Sequence, residues 1–297
     1  MKSILRKFTA ILAVMIALLC CFSFSACGTK STALEVSVKV YDFSQGKVVS
    51  RTMTVDLYGT VAPKTVDAIK KYALDGYYNG MTFYVMTSFD GTSTYSSQLM
   101  FGDLSYNPDV ESLTLEQADP KPFVEGEFEK AGVVGSNLKN EKGALGLWRT
   151  WQKGDSYKTS NWSGTGSSVC YIPNSTLADY DGNFCVFGKI RLTDANTAET
   201  WSKLYSACNN SSISETFVIY YTGEYTEDDS VKNNGLTYHC LPIDDFEELT
   251  EAQKDEIFVA EDGQYVKYNE TRVKVPLRPD GTINKASAAR IESIKLK

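Results

Sequence analysis

The chain has 297 residues, with 30 Lys and Arg against 37 Asp and Glu, a net charge of −7 and one histidine. The acidic balance argues against nucleic acid as a partner. Seven cysteines with no C-x-x-C pair, and a lone His239, leave a metal site almost no ligands.

Lys2, Arg6 and Lys7 make a positive start, an apolar run covers 8–22, and Ser23-Phe24-Ser25-Ala26-Cys27-Gly28 follows. Residues 1–26 read as a targeting segment, to be set aside before fold reasoning. Small residues directly before Cys27 suit the narrow site of a lipoprotein signal peptidase, and the segment resembles a bacterial lipoprotein signal. That reading makes Cys27 the lipidated residue and 27–33 a tether. It predicts an exported protein anchored to the bacterial cell membrane, because two or more acyl chains hold stably. A secretory peptide cut near Ala26 and a retained membrane helix are the other readings. Loss of the three leader cations takes the net charge from −7 to −10.

Leu34, Val36, Val38 and Val40 alternate with polar residues, as do Met53, Val55 and Leu57. That period predicts two half-buried strands joined at Ser44-Gln45-Gly46, an antiparallel hairpin. Pro63 then opens a helix with Val66, Ile69 and Ala73 on one face, and Gly76 ends it. Short strands separated by Gly, Asn and Asp follow to about Ile190, and Ala198 to Ala207 reads as a second helix. Beyond it, Phe217 to Tyr221 and the region of Val273 and Val275 read as strands. Thr250 with Gln253 forms a capping box. Residues 209–284 hold 16 acidic and 6 basic side chains, either an acidic docking surface or a solvated decoration. Cys170 and Cys185 lie in apolar runs and read as core residues; for Cys208 and Cys240, pairing and free thiols both stand open.

Three stretches in order, Val55-Asp56-Leu57-Tyr58, Ala62-Pro63-Lys64-Thr65-Val66 and Asp75-Gly76-Tyr77-Tyr78-Asn79-Gly80-Met81-Thr82-Phe83, resemble the opening of a cyclophilin. Gly126-Glu127-Phe128-Glu129, Gly143-Ala144-Leu145-Gly146-Leu147 and the run from Tyr180 to Lys189 resemble later blocks, and Ala289 to Leu296 resembles the closing strand. The resemblance implies a mainly β fold: a closed eight-stranded antiparallel barrel with two capping helices. It implies one domain over 34–297, with an acidic α+β insertion at about 209–285 before the last strand. It also implies peptidyl-prolyl cis-trans isomerisation without a cofactor, acting on proline-containing peptides or unfolded exported proteins.

The same resemblance locates the chemistry. Amide resonance sets a barrier of ~18–20 kcal/mol, and in the family an arginine donates to the proline nitrogen as the amide twists. That arginine falls on Val85, which cannot donate. Met100 falls on the family's glutamine, with Gln98 nearby. Asp179 falls on the tryptophan and Phe184 on the histidine, while Tyr171 takes a phenylalanine position in the proline pocket. The expected peptide groove is therefore Phe83, Val85, Met100, Phe101, Trp148, Tyr171, Tyr180 and Phe184. Arg149 is the candidate replacement donor, its rigid fork suiting the role; the plainer reading has it facing solvent or a carboxylate. Trp148, Trp151, Tyr157 and Trp162 lie in or beside a long loop, as ligand contacts or as a lid. Weak isomerisation and a non-catalytic peptide- or protein-binding lipoprotein are the two leading readings of these residues, with a mainly structural envelope lipoprotein as a third.

Overall fold

The structure, a computed structural model, describes residues 33–88, 98–106, 115–119, 121–122, 124–133, 138–149, 166–210, 213–224, 226, 235–261, 264–267, 271–276 and 289–297. The leader, Cys27, Trp151, Tyr157 and Trp162 lie outside these residues.

The expected hairpin is present: β1 (Ala33–Asp42) pairs antiparallel with β2 (Lys47–Leu57), Leu34 opposite Val55 and Val36 opposite Met53. Its turn is organised by Asp42, which accepts from Ser44 N at 3.0 Å and from Ser44 Oγ at 2.6 Å. Ser44, with Lys203 3.1 Å away, holds the Asp42 carboxyl far below the usual carboxylate range. Helix α1 (Pro63–Leu74) has Pro in its first turn and no side-chain cap from Ala62. The cap comes instead from Glu127, whose carboxylate accepts from Lys64 N at 2.9 Å and Thr65 N at 2.7 Å. Orphan N–H groups and the positive end of the helix dipole favour such a carboxylate.

Strands β3 (Tyr84–Ser88), β4 (Gln98–Phe101), β7 (Ala144–Arg149), β8 (Gly166–Pro173) and β9 (Cys185–Ile190) follow, with a small β5 (Leu104–Tyr106) and β6 (Leu115–Gln117) hairpin beside them. Helix α2 (Ala195–Asn209) starts on Asp194, whose side chain accepts from Thr197 N. The insertion supplies β10 (Ser214–Gly223), β11 (Leu236–Pro242), short helices α3 (Ile243–Glu247) and α4 (Glu251–Lys254), then β12 (Ile257–Glu261), β13 (Gln264–Lys267) and β14 (Thr271–Pro276). Its capping box at Thr250 and Gln253 forms as expected. The last strand is β15 (Ala289–Leu296).

Among the described residues thirteen strands join one sheet. Eight run in the order β3-β4-β8-β7-β9-β2-β1-β15, and the insertion extends the sheet beyond β3 through β14, β10, β12 and β13, with β11 on β10. The mainly β class is thus as expected, but the regular sheet is open rather than closed. Both edges of β3 are taken: Val85 pairs with Leu99 on one side and with Lys274 on the other. Strand β15, paired with β1 on one edge, therefore reaches the residues before β3 on the other, through a Thr82–Arg290 bridge and a 2.9 Å bond from Phe83 N to Ala289 O.

Alternation along the strands sends successive side chains to opposite faces. The inner face gathers Val36, Val38, Met53, Val55, Phe83, Val85, Leu99, Phe101, Leu147, Cys170, Ile172 and Phe187, capped by Val66 and Ile69 of α1 and by Trp201 and Leu204 of α2. The outer face gathers Tyr84, Met86, Met100, Tyr171 and Phe184, together with Phe217, Val273 and Val275 of the insertion. Each fully buried side chain of this kind contributes about 1.5–3 kcal/mol. Cys208 and Cys240 belong to different clusters and are free thiols, as are Cys170 and Cys185.

Candidate functional site

The outer face of β7 and β8, with the 178–184 turn beside it, carries a cluster of aromatic side chains, termed the recess below. Tyr171 stands opposite Gly146 across the β7–β8 ladder. A Cβ on Gly146 would lie 2.2 Å from Tyr171 Cζ, so only glycine lets the ring lie flat there. The phenol is fully buried, and its hydroxyl donates to Asn140 Oδ1. Asn140 is itself fixed by Asp181, whose Oδ1 accepts from Asn140 N at 2.8 Å. Burial works to raise the Asp181 carboxyl, but the Asn140 N–H and Lys139 bring it below its usual value. Burial foremost keeps the Tyr171 hydroxyl protonated far above neutral pH, so it acts as a donor.

Around Tyr171 the other rings interlock. Phe184 stacks on Tyr180 at 4.4 Å between centroids and on Trp148 at 5.4 Å. Tyr171 meets Phe184 and Tyr180 edge-on, each at 5.7 Å. Offset and edge-to-face geometries of this sort are the favoured ones for aromatic pairs. Trp148, Val169 and Tyr180 are half-buried and form the accessible rim; Phe184 lies beneath them.

Arg149 lies directly below. Its guanidinium carbon is 5.1 Å from the Phe128 centroid and 5.0 Å from the Phe184 centroid, and the residue is 2% exposed. A cation over two ring faces gains roughly 0.5–2 kcal/mol per face when desolvated. The structure thus places Arg149 within the wall of the recess, under Phe184, and not out in solvent.

The remaining expected groove residues divide between the two faces. Val85, at 0% exposure, lies with Phe83 and Phe101 in the inner core and not in the recess. Strand alternation is the reason, since Tyr84 and Met86 hold the outer positions of β3. Met100 is on the outer face, 1% exposed, opposite Tyr171 on one side and Tyr84 on the other. Gln98, the nearby amide, is fully buried. The structure therefore brings together Met100, Trp148, Tyr171, Tyr180, Phe184 and Arg149, and leaves Phe83, Val85 and Phe101 behind the sheet.

Two features escape sequence reasoning. Tyr84, which stands beside the position singled out in β3, donates to Asp103 Oδ1 at 2.9 Å, and burial raises that carboxyl to about 6. The insertion reaches this face as well: Val273 pairs with Met86, and Phe217 with Val273. The alternation of Val273 and Val275 is visible in the sequence, but not the strand they would pair with. Among the described residues no group of three His, Cys, Asp or Glu is placed to hold a metal.

Comparison with known proteins bears on this arrangement. A family model described as cyclophilin type peptidyl-prolyl cis-trans isomerase/CLD matches residues 41–223, more than half of the chain. Two solved structures of a Cryptosporidium parvum cyclophilin type peptidyl-prolyl cis-trans isomerase are similar. One, in the presence of the dipeptide Ala-Pro, is 16% identical over 60% of this chain and 88% of that chain, with a TM-score of 0.36. The other is 14% identical over 71% of this chain and 96% of that chain, also with a TM-score of 0.36. No curated protein matches the chain.

Proposed function

The chain belongs to the cyclophilin-type peptidyl-prolyl cis-trans isomerase family, and from that premise we propose that it is a weak isomerase-like protein. Its proposed clients are proline-containing segments of exported proteins. The observation that carries this reading is the recess itself: Trp148, Val169 and Tyr180 form a half-buried apolar rim over Phe184 and Tyr171. A proline ring is a compact apolar group, and such a shelf takes it by contact area and aromatic faces rather than by charge.

The same residues limit the chemistry. Catalysis needs an interaction stronger in the twisted amide than in the planar one. A donor aimed at the proline nitrogen supplies it, and loss of one preorganised donor costs on the order of 10²–10³ in rate in other enzymes. Val85 offers no donor and sits on the far side of the sheet. Arg149 is the nearest guanidinium, yet it is held between Phe128 and Phe184. What remains is ground-state contact with little preference for the transition state. A second reading follows from the same burial: the recess serves as a peptide or protein receptor with no turnover, favoured by Met100 at 1% exposure where the family has a glutamine.

Export and anchoring belong to this proposal. Lys2, Arg6 and Lys7 before the apolar run, with Ala26-Cys27 after it, support an exported lipoprotein held at the bacterial cell membrane. Mass spectrometry of the mature protein tests this: a diacylated peptide beginning at Cys27, absent from a Cys27→Ser variant, is the expected result. The peptide site is tested by titrating the protein with Ala-Pro peptides. Binding is expected in the wild type and loss of it in Trp148→Ala; equal binding by both proteins moves the site elsewhere.

A further inference from the structure

The insertion does not stand clear of the body. Strand β14 runs antiparallel to β3, with Arg272 opposite Ser88, Val273 opposite Met86 and Lys274 opposite Val85. Strand β10 continues the ladder, with Phe217 opposite Val273 and Glu215 opposite Val275. Five strands thus carry one outer layer in register: Tyr171 on β8, Met100 on β4, Tyr84 and Met86 on β3, Val273 on β14 and Phe217 on β10. Leu104 and Leu115 of the β5–β6 hairpin belong to this layer, and Gln117 Nε2 donates to Tyr221 OH of β10 at 3.3 Å.

Exposure differs along the layer. At the β7–β8 end Trp148, Val169 and Tyr180 are half-buried over the buried Tyr171 and Phe184. Next to them, at the β3 end, Tyr84, Met86, Met100, Phe217, Val273 and Val275 are all buried, and only beyond these, on β10 and β11, do the half-buried Ile219 and Tyr238 follow. A peptide lying across the recess can therefore contact the first end. At the second it meets side chains already packed against one another. Opening that end would expose several fully buried side chains, each at about 1.5–3 kcal/mol. That cost exceeds what contact with a few peptide residues returns.

We propose that the insertion is a built-in cover that makes the recess one-sided, so that it accepts a short or terminal proline segment and excludes chain running on past Met100 towards β3. The proposal rests on the recess being the peptide site, and its test separates the two. Valine methyl NMR on the full chain, with the dipeptide Ala-Pro and a hexapeptide carrying a central proline, reads both ends at once. The expected result is that the Val169 methyls shift with the dipeptide while those of Val273 and Val275 stay in place with either peptide. Movement of Val273 or Val275 together with Val169 overturns the cover and leaves the recess as the site. No shift at any of the three overturns both.

A Phe217→Ala, Val273→Ala variant gives an independent reading. It is expected to bind the hexapeptide about tenfold tighter than wild type, with dipeptide binding unchanged. Equal hexapeptide affinity in a folded variant contradicts the proposal.

Discussion

The two faces of the same strands follow different rules. On the inner face of β3, β4 and β8, Phe83, Val85, Leu99, Phe101, Cys170 and Ile172 pack with the capping helices, and any well-fitting apolar set would serve. On the outer face, Tyr84, Met100 and Tyr171 alternate with them one residue along. There the packing is specific: Tyr171 needs Gly146 below its ring and Asn140 at its hydroxyl. The lesson is that one position's displacement on a strand moves a residue from the inner core to the outer aromatic cluster, and Val85 lies in the inner core.

The sharpest way to break that comparison is Val85→Arg. If Val85 faced the recess, arginine there would restore a donor and activity. In the inner core it buries an unpaired guanidinium, and we expect a loss of at least about 4 kcal/mol by chemical denaturation, with no gain in exchange rate. Phe184→Ala on the outer face comes next. It removes a ring that holds Trp148, Tyr180 and Arg149, with an expected loss of about 3–5 kcal/mol and of peptide binding with it.

Asp103 gives a pH-dependent measure of the outer face. Its carboxyl is raised to about 6 by burial, against 3.8 ordinarily, so the folded state holds the proton more tightly than the unfolded one. Its contribution to stability is full below the ordinary value and is lost as pH rises through about 6. Over that window we expect stability to fall by roughly 1–3 kcal/mol. The Asp103→Asn variant should show no such slope in urea titrations between pH 4 and 7.

Smaller effects separate scaffold from site. Glu127→Gln removes the charge that caps α1 and should cost about 1 kcal/mol, without altering peptide binding. Trp148→Ala, on the accessible rim, is expected to cost less than Phe184→Ala in stability, about 1–2 kcal/mol, yet to lose binding as completely.

Much of the scaffold was legible in the sequence. The hairpin through Val36 and Val55, the helix opened by Pro63, the Thr250 capping box and the strand at Val273 all rest on local periodicity or local hydrogen bonds, and all are present. Cys170 and Cys185 are buried as expected, but Cys208 and Cys240 do not bond. The rest depends on pairing between distant segments. The burial of β3 between β4 and β14 joins residues nearly two hundred positions apart, and it leaves the regular sheet open. The recess was half legible. Trp148, Tyr171, Tyr180 and Phe184 gather as the motifs implied, but which face Val85 takes depends on strand phase. Asn140 and Asp103 carried no local signal, because their partners are Tyr171 and Tyr84, 31 and 19 residues away.

The most direct test of a retained recess with little chemistry is cis/trans exchange NMR on X-Pro peptides with the full chain and an Arg149→Ala variant. We predict that the wild-type protein shifts the peptide resonances but accelerates exchange only slightly. Strong acceleration that disappears in Arg149→Ala would contradict this, because the guanidinium would then have to leave Phe128 and Phe184 and reach the proline nitrogen.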